Sequence, residues 1–533
     1  MRCGARKFVF LVFASFLILS ALAGVSTART IYVPEDYATI QQAVDNARDG
    51  DTIFVRNGTY RENIGIDKKY LTIEGENRDT TIIDGGGIGD CVYVSSADIS
   101  ISEFTIKNAS NYGVYAYNSD LNINNATIKN CSRDAVHFYK GDSLILRDSI
   151  LENCGGGVIY EYWADKDAII ERNIIRNNRG SGIDIYLYGR GDDAFIEDNI
   201  ITNNTGDGIE CTGLTTISSA KIINNTVSCG GNGVYLDDVR RANITGLIIE
   251  HAGGYGVYAP ECDLSIYNST IKNCDKDAIH FRSGESLILR DSVIENCGGG
   301  LIYEYWADED AIVERNIIRN NRGSGIDIYL YGRGDDAFIE DNIITNNTGD
   351  GIECTGLTTI SSAKIINNTV SCGGNGVYLD DVRRANITGL IIEHAGGYGV
   401  YAPECDLSIY NSTIKNCDKD AIHFRSGESL ILRDSVIENC GGGLIYEYWA
   451  DEDAIVERNI IRNNRGSGIG IYLYSRGDDA FIEDNIIKNN TGDGIKCKGL
   501  YTISAKIKNN TVRNNRDDGI YLSKARYSTI ENN

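Results

Sequence analysis

The chain has 533 residues and a formal net charge of −24, with 75 acidic side chains against 51 basic ones. So acidic a surface argues against nucleic acid as a partner; it suits solubility, or divalent cations held by carboxylates. Glycine is abundant at 59, proline is scarce at 3, and Met1 is the lone methionine, which excludes a Met-rich copper site.

The first segment, "MRCGARKFVFLVFASFLILSALAGVSTA", places Arg2, Arg6 and Lys7 before an apolar run from Phe8 to about Gly24 and ends on small residues. This pattern predicts a secretory signal over residues 1–28, with an uncleaved anchor as the alternative, although the run is short for a span. No later segment is apolar enough to cross a membrane, so a secreted or cell-surface protein is expected. Residues 29–90 read as a cap and first coils. A short strand precedes a helix that starts at Thr39, with Gln42 three residues on as a capping box. Ile40, Ala43, Val44 and Ala47 share one face and Gly50 is expected to end the helix. Such a helix would cover the open end of a repetitive core.

From residue 91 a shorter beat takes over. A small residue followed by Val or Ile recurs at Ala135-Val136, Gly157-Val158, Gly182-Ile183, Gly208-Ile209, Gly233-Val234, Gly256-Val257 and Ala278-Ile279. The intervals of 22, 25, 26, 25, 23 and 22 residues close a unit of 143, giving units 135–277, 278–420 and an incomplete 421–533. Nineteen such starts run from Cys91-Val92 to Gly519-Ile520. Runs such as "GIDIYLY" and "AKIINNTV" alternate with period two and are bounded by Asn, Gly and Asp, which predicts an all-β solenoid, a parallel β-helix of roughly 90 Å. A column before each corner reads Asn130, Asn153, Asn177, Asn203, Cys229, His251, Asn273. It predicts an inward asparagine ladder, with the left-handed backbone that Asn tolerates and with stacked amides.

The opening "TIQQAVDNARDGDTIFVRNGTYRENIGI", then "LTIEGENRDTTIIDGGG", and the tandem "N-x-I-x-N-N-x-x-x-G-I" coils together resemble pectin-lyase-like right-handed parallel β-helix repeat proteins, closest to NosD-like and archaeal surface β-helix proteins. The resemblance implies a right-handed β-helix of about nineteen coils with an N-terminal capping helix. It leaves activity open, because the fold hosts lyases, hydrolases, esterases, epimerases and non-enzymatic surface proteins. The motifs of polygalacturonases, pectin methylesterases and pectate lyases are absent, apart from Asp-Asp pairs at 192–193, 335–336 and 478–479 that read as turns. The "RGD" at 190–192 belongs to the first of these turns.

Residues two and four after each start should point outward on one strand. The first column reads His137, Ile159, Asp184, Glu210, Tyr235, Tyr258, His280; the second reads Tyr139, Glu161, Tyr186, Thr212, Asp237, Pro260, Arg282. One face thus gathers Glu161, Asp184, Glu210 and Asp237 beside Tyr186, Tyr235 and Tyr258, with Asp327 and Glu353 repeating the acidic pair. Carboxylates on adjacent coils suit a calcium ion, at Asp184 and Glu210 first, or the carboxylate pair of a glycosidase, and tyrosines can stack on sugar rings. A solvated acidic surface is the plain alternative. The third unit differs: Gly470 stands where Asp184 and Asp327 stand, and Lys496 and Lys498 replace Glu210 and Thr212.

Cys131 and Cys154 fall at one corner on adjacent coils, as do Cys274 with Cys297 and Cys417 with Cys440, so disulfide staples and stacked free thiols are both open. Sequons at Asn57, Asn108, Asn125, Asn224, Asn243 and Asn268 offer glycosylation sites, while Asn203 is expected to point inward and stay unmodified. The last coil, ending in "STIENN", reads as uncapped, as expected of a truncated sequence or of an end that a partner covers. The favoured function is an exported, glycan-binding surface or adhesion rod. A polysaccharide lyase or glycoside hydrolase is the alternative, and a NosD-like accessory in metal-cofactor assembly the third reading. Calcium is the one cofactor expected, and polysaccharide or cell-surface glycan the expected partner.

Overall fold

The computed structural model describes residues 28–533, apart from 163–166, 188–192, 214–218, 285, 306–309, 331–335, 357–361, 428, 449–452, 474–478 and 526. The secretory segment, the "RGD" and Asp192, Asp335 and Asp478 lie outside the described residues. No helix among the described residues is long and apolar enough to cross a membrane.

Alternation of apolar and polar residues sets the coil. In one turn the strands Val136–Tyr139, Leu144–Arg147 and Ile150–Glu152 lie on three sides. Val136, Phe138, Leu144, Leu146 and Leu151 are fully buried, and their neighbours in the chain face out. Each strand pairs in parallel with its counterpart in the next coil, Val136 with Val158, Leu144 with Ala168 and Ile150 with Ile174. About 19 turns stack this way, with one helix among the described residues, so the fold is the expected all-β solenoid. Each coil buries its apolar side only against its neighbours, and the core is one continuous column. Inside it, like stacks on like: the Phe138 and Tyr160 rings lie 5.1 Å apart and nearly parallel, and Phe281–Tyr303 and Phe424–Tyr446 repeat the contact.

The corners explain the asparagine-rich composition. Asn130, Asn153, Asn177 and Asn203 all adopt the left-handed conformation, with φ between 56° and 58°. A second corner carries Asn125, Asp148, Arg172, Asp198 and Asn224 at similar φ, then Gly246 at 65°, where a side chain would meet Asn224 Oδ1 at 2.4 Å. The stacked amides are elsewhere than expected. Asn130, Asn153, Asn177 and Asn203 are exposed, because a left-handed residue at a corner turns its side chain outward. The buried ladders start one residue later, with Asn178 Nδ2 donating to Asn204 Oδ1 at 3.0 Å, and at the other corner with Asn173, Asn199 and Asn225. Cys229 pairs with Asn204 in register and is buried, and a bulge leaves His251 exposed beside it. His251 is therefore outside the ladder, and the Asn203 sequon faces solvent.

Asn199 shows what a ladder residue contributes. Its Oδ1 accepts from the Asn173 amide and side chain at 2.9 and 3.0 Å, and its Nδ2 donates to Ile170 O at 2.8 Å and Asn225 Oδ1 at 3.0 Å. Every hydrogen bond of the buried amide is filled between coils, which fixes their register and leaves no orphaned polar group.

The N-terminal helix Ile40–Asn46 packs Ile40, Ala43 and Val44 over the strands Thr30–Val33, Thr52–Val55 and Ile64–Asp67, covering the end of the core. Thr39 Oγ1 accepts from Gln42 N at 3.1 Å as expected. The reciprocal partner is Glu62, whose carboxylate accepts from Ile40 N and Gln41 N at 3.0 Å. The helix stops earlier than Gly50. Ala47 is extended and donates its N–H to Val44 O, and Lys69 Nζ donates to the carbonyls of Val44 and Ala47, while Gly50 sits in the following turn at φ 85°.

Candidate functional site

The two outward columns form as the alternation requires. His137, Ile159, Asp184, Glu210, Tyr235, Tyr258 and His280 pair one to the next across seven coils. The series continues through Ile302, Asp327, Glu353, Tyr378, Tyr401 and His423 to Ile445, Gly470, Lys496 and Tyr521. In the second column Tyr139, Glu161, Tyr186, Thr212 and Asp237 are likewise neighbours. All nine expected face residues lie on this one sheet.

Asp184 is half-buried between Ile159 and Glu210. Tyr186 donates its hydroxyl to Asp184 Oδ2 at 3.3 Å, while Oδ1 is buried without a hydrogen bond. Burial, and then the charge of Glu210, push its carboxyl up to about 7. Asp327 repeats the arrangement with Tyr329 at 3.2 Å and is also raised to about 7, by burial and then Glu353. Glu210 is raised by burial and by Asp207, and Ser181 Oγ donates to it at 3.4 Å. Glu353 is raised by burial and by Asp350. Tyr235 donates to Asp237 Oδ2 at 3.1 Å, and burial followed by that carboxylate drives its phenol well above the usual range.

Calcium at Asp184 and Glu210 does not fit this geometry. Among the described residues no group of three or more His, Cys, Asp or Glu side chains converges on one point. The pair lines a flat strand face, where the next outward neighbours are Ile159 and Tyr235, and a calcium ion takes 6–8 oxygen ligands.

The aromatic side of the face is larger than the sequence reading made it. Tyr255 stacks on Tyr258 at 5.0 Å and meets His280 at 4.8 Å with the rings tilted by 41°, and Tyr258 stacks on Tyr235 at 5.5 Å. Lys276 lies 4.6 Å from the Tyr255 ring centre, and Asp277 lies 3.6 Å from the imidazole. Tyr378, Tyr398, Tyr401 and His423 repeat this platform, again with a lysine, Lys419, and an aspartate, Asp420. Tyr93, Tyr112, Tyr115 and His137 form an earlier version, with Arg133 over Tyr112 and Asp134 beside the histidine. The member not foreseen is the corner tyrosine, Tyr112, Tyr255 or Tyr398. It precedes the strand, so an alternation count passes over it. Its signal was "YGVY", present at 112–115, 255–258 and 398–401. Platforms and acidic pairs thus alternate along the rod, each recurring every six coils, about 29 Å at strand spacing.

The six paired cysteines are free thiols, all buried. The staples are not formed: Cys131 N donates to Cys154 Sγ at 3.4 Å, and both sulfurs turn toward carbonyls of their own coils, Lys129 O and Glu152 O. Cys274 with Cys297 and Cys417 with Cys440 are held the same way. Cys91, Cys211, Cys229 and Cys262 are buried thiols as well.

The family model for a right-handed β-helix region matches residues 86–227, 214–370, 357–499 and 468–533. No curated protein matches the chain. The solved structures to which the chain is similar include three polysaccharide-active proteins. The A-module of an Azotobacter vinelandii mannuronan C-5 epimerase is 12% identical, covering 68% of this chain and 91% of its own, with a TM-score of 0.25. The catalytic domain of a GH87 α-1,3-glucanase is 12% identical, covering 75% and 66%, with a TM-score of 0.27. A PL6 family alginate lyase is 11% identical, covering 91% and 100%, with a TM-score of 0.21.

Proposed function

The chain belongs to the right-handed β-helix family, and from that premise we propose that it is an exported, glycan-binding rod that holds polysaccharide along the tyrosine–carboxylate face. The repeated platform carries this reading. Tyr235, Tyr255, Tyr258 and His280 present flat, half-exposed rings with polar edges, and the same four positions return as Tyr378, Tyr398, Tyr401 and His423. Rings with an apolar body and a polar rim suit sugar rings, which have apolar faces and hydroxyl edges. Outward positions are free of packing duty, so their repetition costs the fold nothing to vary. The apolar leader-like segment and the acidic surface support export. A glycan array with the protein spanning residues 29–533 tests the reading. Binding is expected to a polysaccharide class and to be lost when Tyr112, Tyr115, Tyr255, Tyr258, Tyr398 and Tyr401 are all changed to Ala. An array without any hit sinks it.

One observation favours a second reading, a polysaccharide-active enzyme. Asp184 is raised to about 7 with one carboxyl oxygen buried, next to Glu210 on the adjacent coil, and Asp327 with Glu353 copies it. A carboxyl that keeps its proton near neutrality can serve as a general acid, and adjacent coils bring the pair near the ~5 Å separation of retaining glycosidases. Reducing-sugar and unsaturated-product assays on every bound glycan decide it. Turnover abolished by Asp184→Asn with Asp327→Asn supports catalysis, and binding without turnover leaves a binding protein.

A further inference from the structure

The third copy of the face differs from the first two in its outward residues. At Ile469–Leu473 and the start of Ile495–Lys508 the inward residues Ile469, Ile471, Leu473, Ile495 and Cys497 are those of the earlier copies, and all are fully buried. Three outward neighbours have changed together: Gly470 for aspartate, Lys496 for glutamate and Lys498 for threonine. In register, Lys496 sits between Gly470 and Tyr521, and Lys498 between Tyr472 and Ser523, so two ammonium groups share one strand face framed by two tyrosines.

We propose that Lys496 and Lys498 form an anion-accepting subsite, flanked by Tyr472 and Tyr521, that takes the carboxylate of an acidic sugar, where the two earlier copies present carboxylates and repel it. This rests on the glycan-binding reading above. Lys496 Nζ lies 3.0 Å from Asp493 Oδ2 and 5.4 Å from the Tyr521 ring centre, so it is positioned from two sides. An ammonium has three donors, and these contacts leave it able to donate to a ligand. Lys498 is exposed and has no hydrogen-bond or ion-pair partner among the described residues. Asp493 is paired with Lys496 and accepts from Asp518 N at 3.0 Å, and Glu447 lies two coils before Lys498 in its column. By contrast the Glu210 position in the first copy has Asp184 beside it in register and Asp207 adding negative charge. A uronate arriving there meets like charges, whereas at Lys496–Lys498 it gains charge-assisted hydrogen bonds.

The copies supply their own controls, because the residues to be exchanged are already tolerated at equivalent places. The full chain is titrated calorimetrically with a hexamer of a uronic acid and, separately, with a neutral hexose hexamer. Lys496→Glu with Lys498→Thr, which restores the first copy's residues, is expected to weaken uronate binding by about tenfold or more and leave neutral-glycan binding unchanged. Glu210→Lys with Thr212→Lys is expected to strengthen uronate binding, and raising salt to weaken it in both proteins. Uronate affinity unaffected by the Lys496 and Lys498 changes, or neutral glycan bound with no uronate binding, overturns the subsite and leaves the rod reading standing. Uronate bound through the lysines with no neutral glycan bound upholds the subsite and sinks the platforms as sugar sites. Neither hexamer bound overturns both.

Discussion

Ile183–Leu187 and Ile469–Leu473 are the same strand written twice on one rod, and they differ where they face out. The first holds Asp184 with a carboxyl raised to about 7; the second holds Gly470, followed by a lysine in the next coil. Their inward residues are identical, Ile183, Ile185 and Leu187 against Ile469, Ile471 and Leu473, and so are the ladder asparagines behind them. The comparison teaches that scaffold and face are separable in this fold. Strand alternation assigns every second residue to the core, and the corner amides set the register, so the exposed positions can reverse their charge without disturbing either.

If the scaffold is shared, breaking it should hurt all copies alike. Asn199→Ala, Asn342→Ala and Asn485→Ala each remove an amide that accepts from the Asn one coil back and donates to a buried carbonyl, Ile170 O, Val313 O and Val456 O. Each leaves about two buried polar groups unpaired, at roughly 1–3 kcal/mol apiece, so a local loss of about 3 kcal/mol is expected. Native-state hydrogen exchange resolves it coil by coil. Losses differing between the copies by more than about 1 kcal/mol would show that the units are not interchangeable scaffolds, beyond the spread expected of a single contact.

A second test separates the copies. In an unfolded chain an aspartate titrates near about 3.9, whereas Asp184 and Asp327 titrate at about 7 in the fold. Below about pH 4 both states are protonated and the fold has its full stability. Between about pH 4 and 7 the folded carboxyl keeps a proton that the unfolded one has lost, so stability falls as pH rises, and the loss is complete above about 7. At about 1.4 kcal/mol per unit, discounted for partial exposure, the local loss is about 2 kcal/mol at each site. Exchange around 183–187 and 326–330 should therefore quicken from pH 5 to 8 beyond the intrinsic rate, and exchange around 469–473 should not. Asp184→Asn should flatten its own coil. A pH response equal in all three copies would remove the electrostatic account.

Much of this was legible in the sequence, for physical reasons that also mark where legibility stopped. The outward columns through Asp184 and Glu210 follow from period-two alternation, and any core-facing strand enforces it. The ladder was misplaced by one residue because "Asn-Asn" supplies two candidates at corners such as 177–178 and 203–204. The first, such as Asn203, takes the left-handed backbone, and the second, Asn204, turns in, and composition alone does not choose between them. Tyr255 was missed because it stands in a corner, outside any alternating run. The thiol pairs were placed on the right coils, yet adjacency leaves open whether sulfurs bond to each other or, as here, to backbone groups.

The smallest expected effect sharpens the comparison from the other side, since the aromatic platforms did not diverge. Tyr255 with Tyr258 and Tyr398 with Tyr401 have the same ring separation, 5.0 Å, and nearly the same tilt, 30° and 29°. Each pair touches a histidine at 4.8 Å and lies under a lysine at 4.6 Å. Replacing one corner tyrosine, Tyr255→Ala or Tyr398→Ala, removes one ring from a platform and leaves the strand beneath it intact. A stacked aromatic contributes about 1 kcal/mol beyond the area it buries, so each change should weaken neutral-glycan binding by about fivefold. The two effects should match, because the platforms match, and if the sites, about 29 Å apart, bind separate glycans, the double change should leave each site weakened by the same fivefold and no more. Losses that multiply in the double change would mean that one glycan chain spans both platforms, since both contacts would then belong to a single binding event. A loss at one platform only would show that the neighbouring coils, acidic in one copy and lysine-bearing in the next, decide which platform is used.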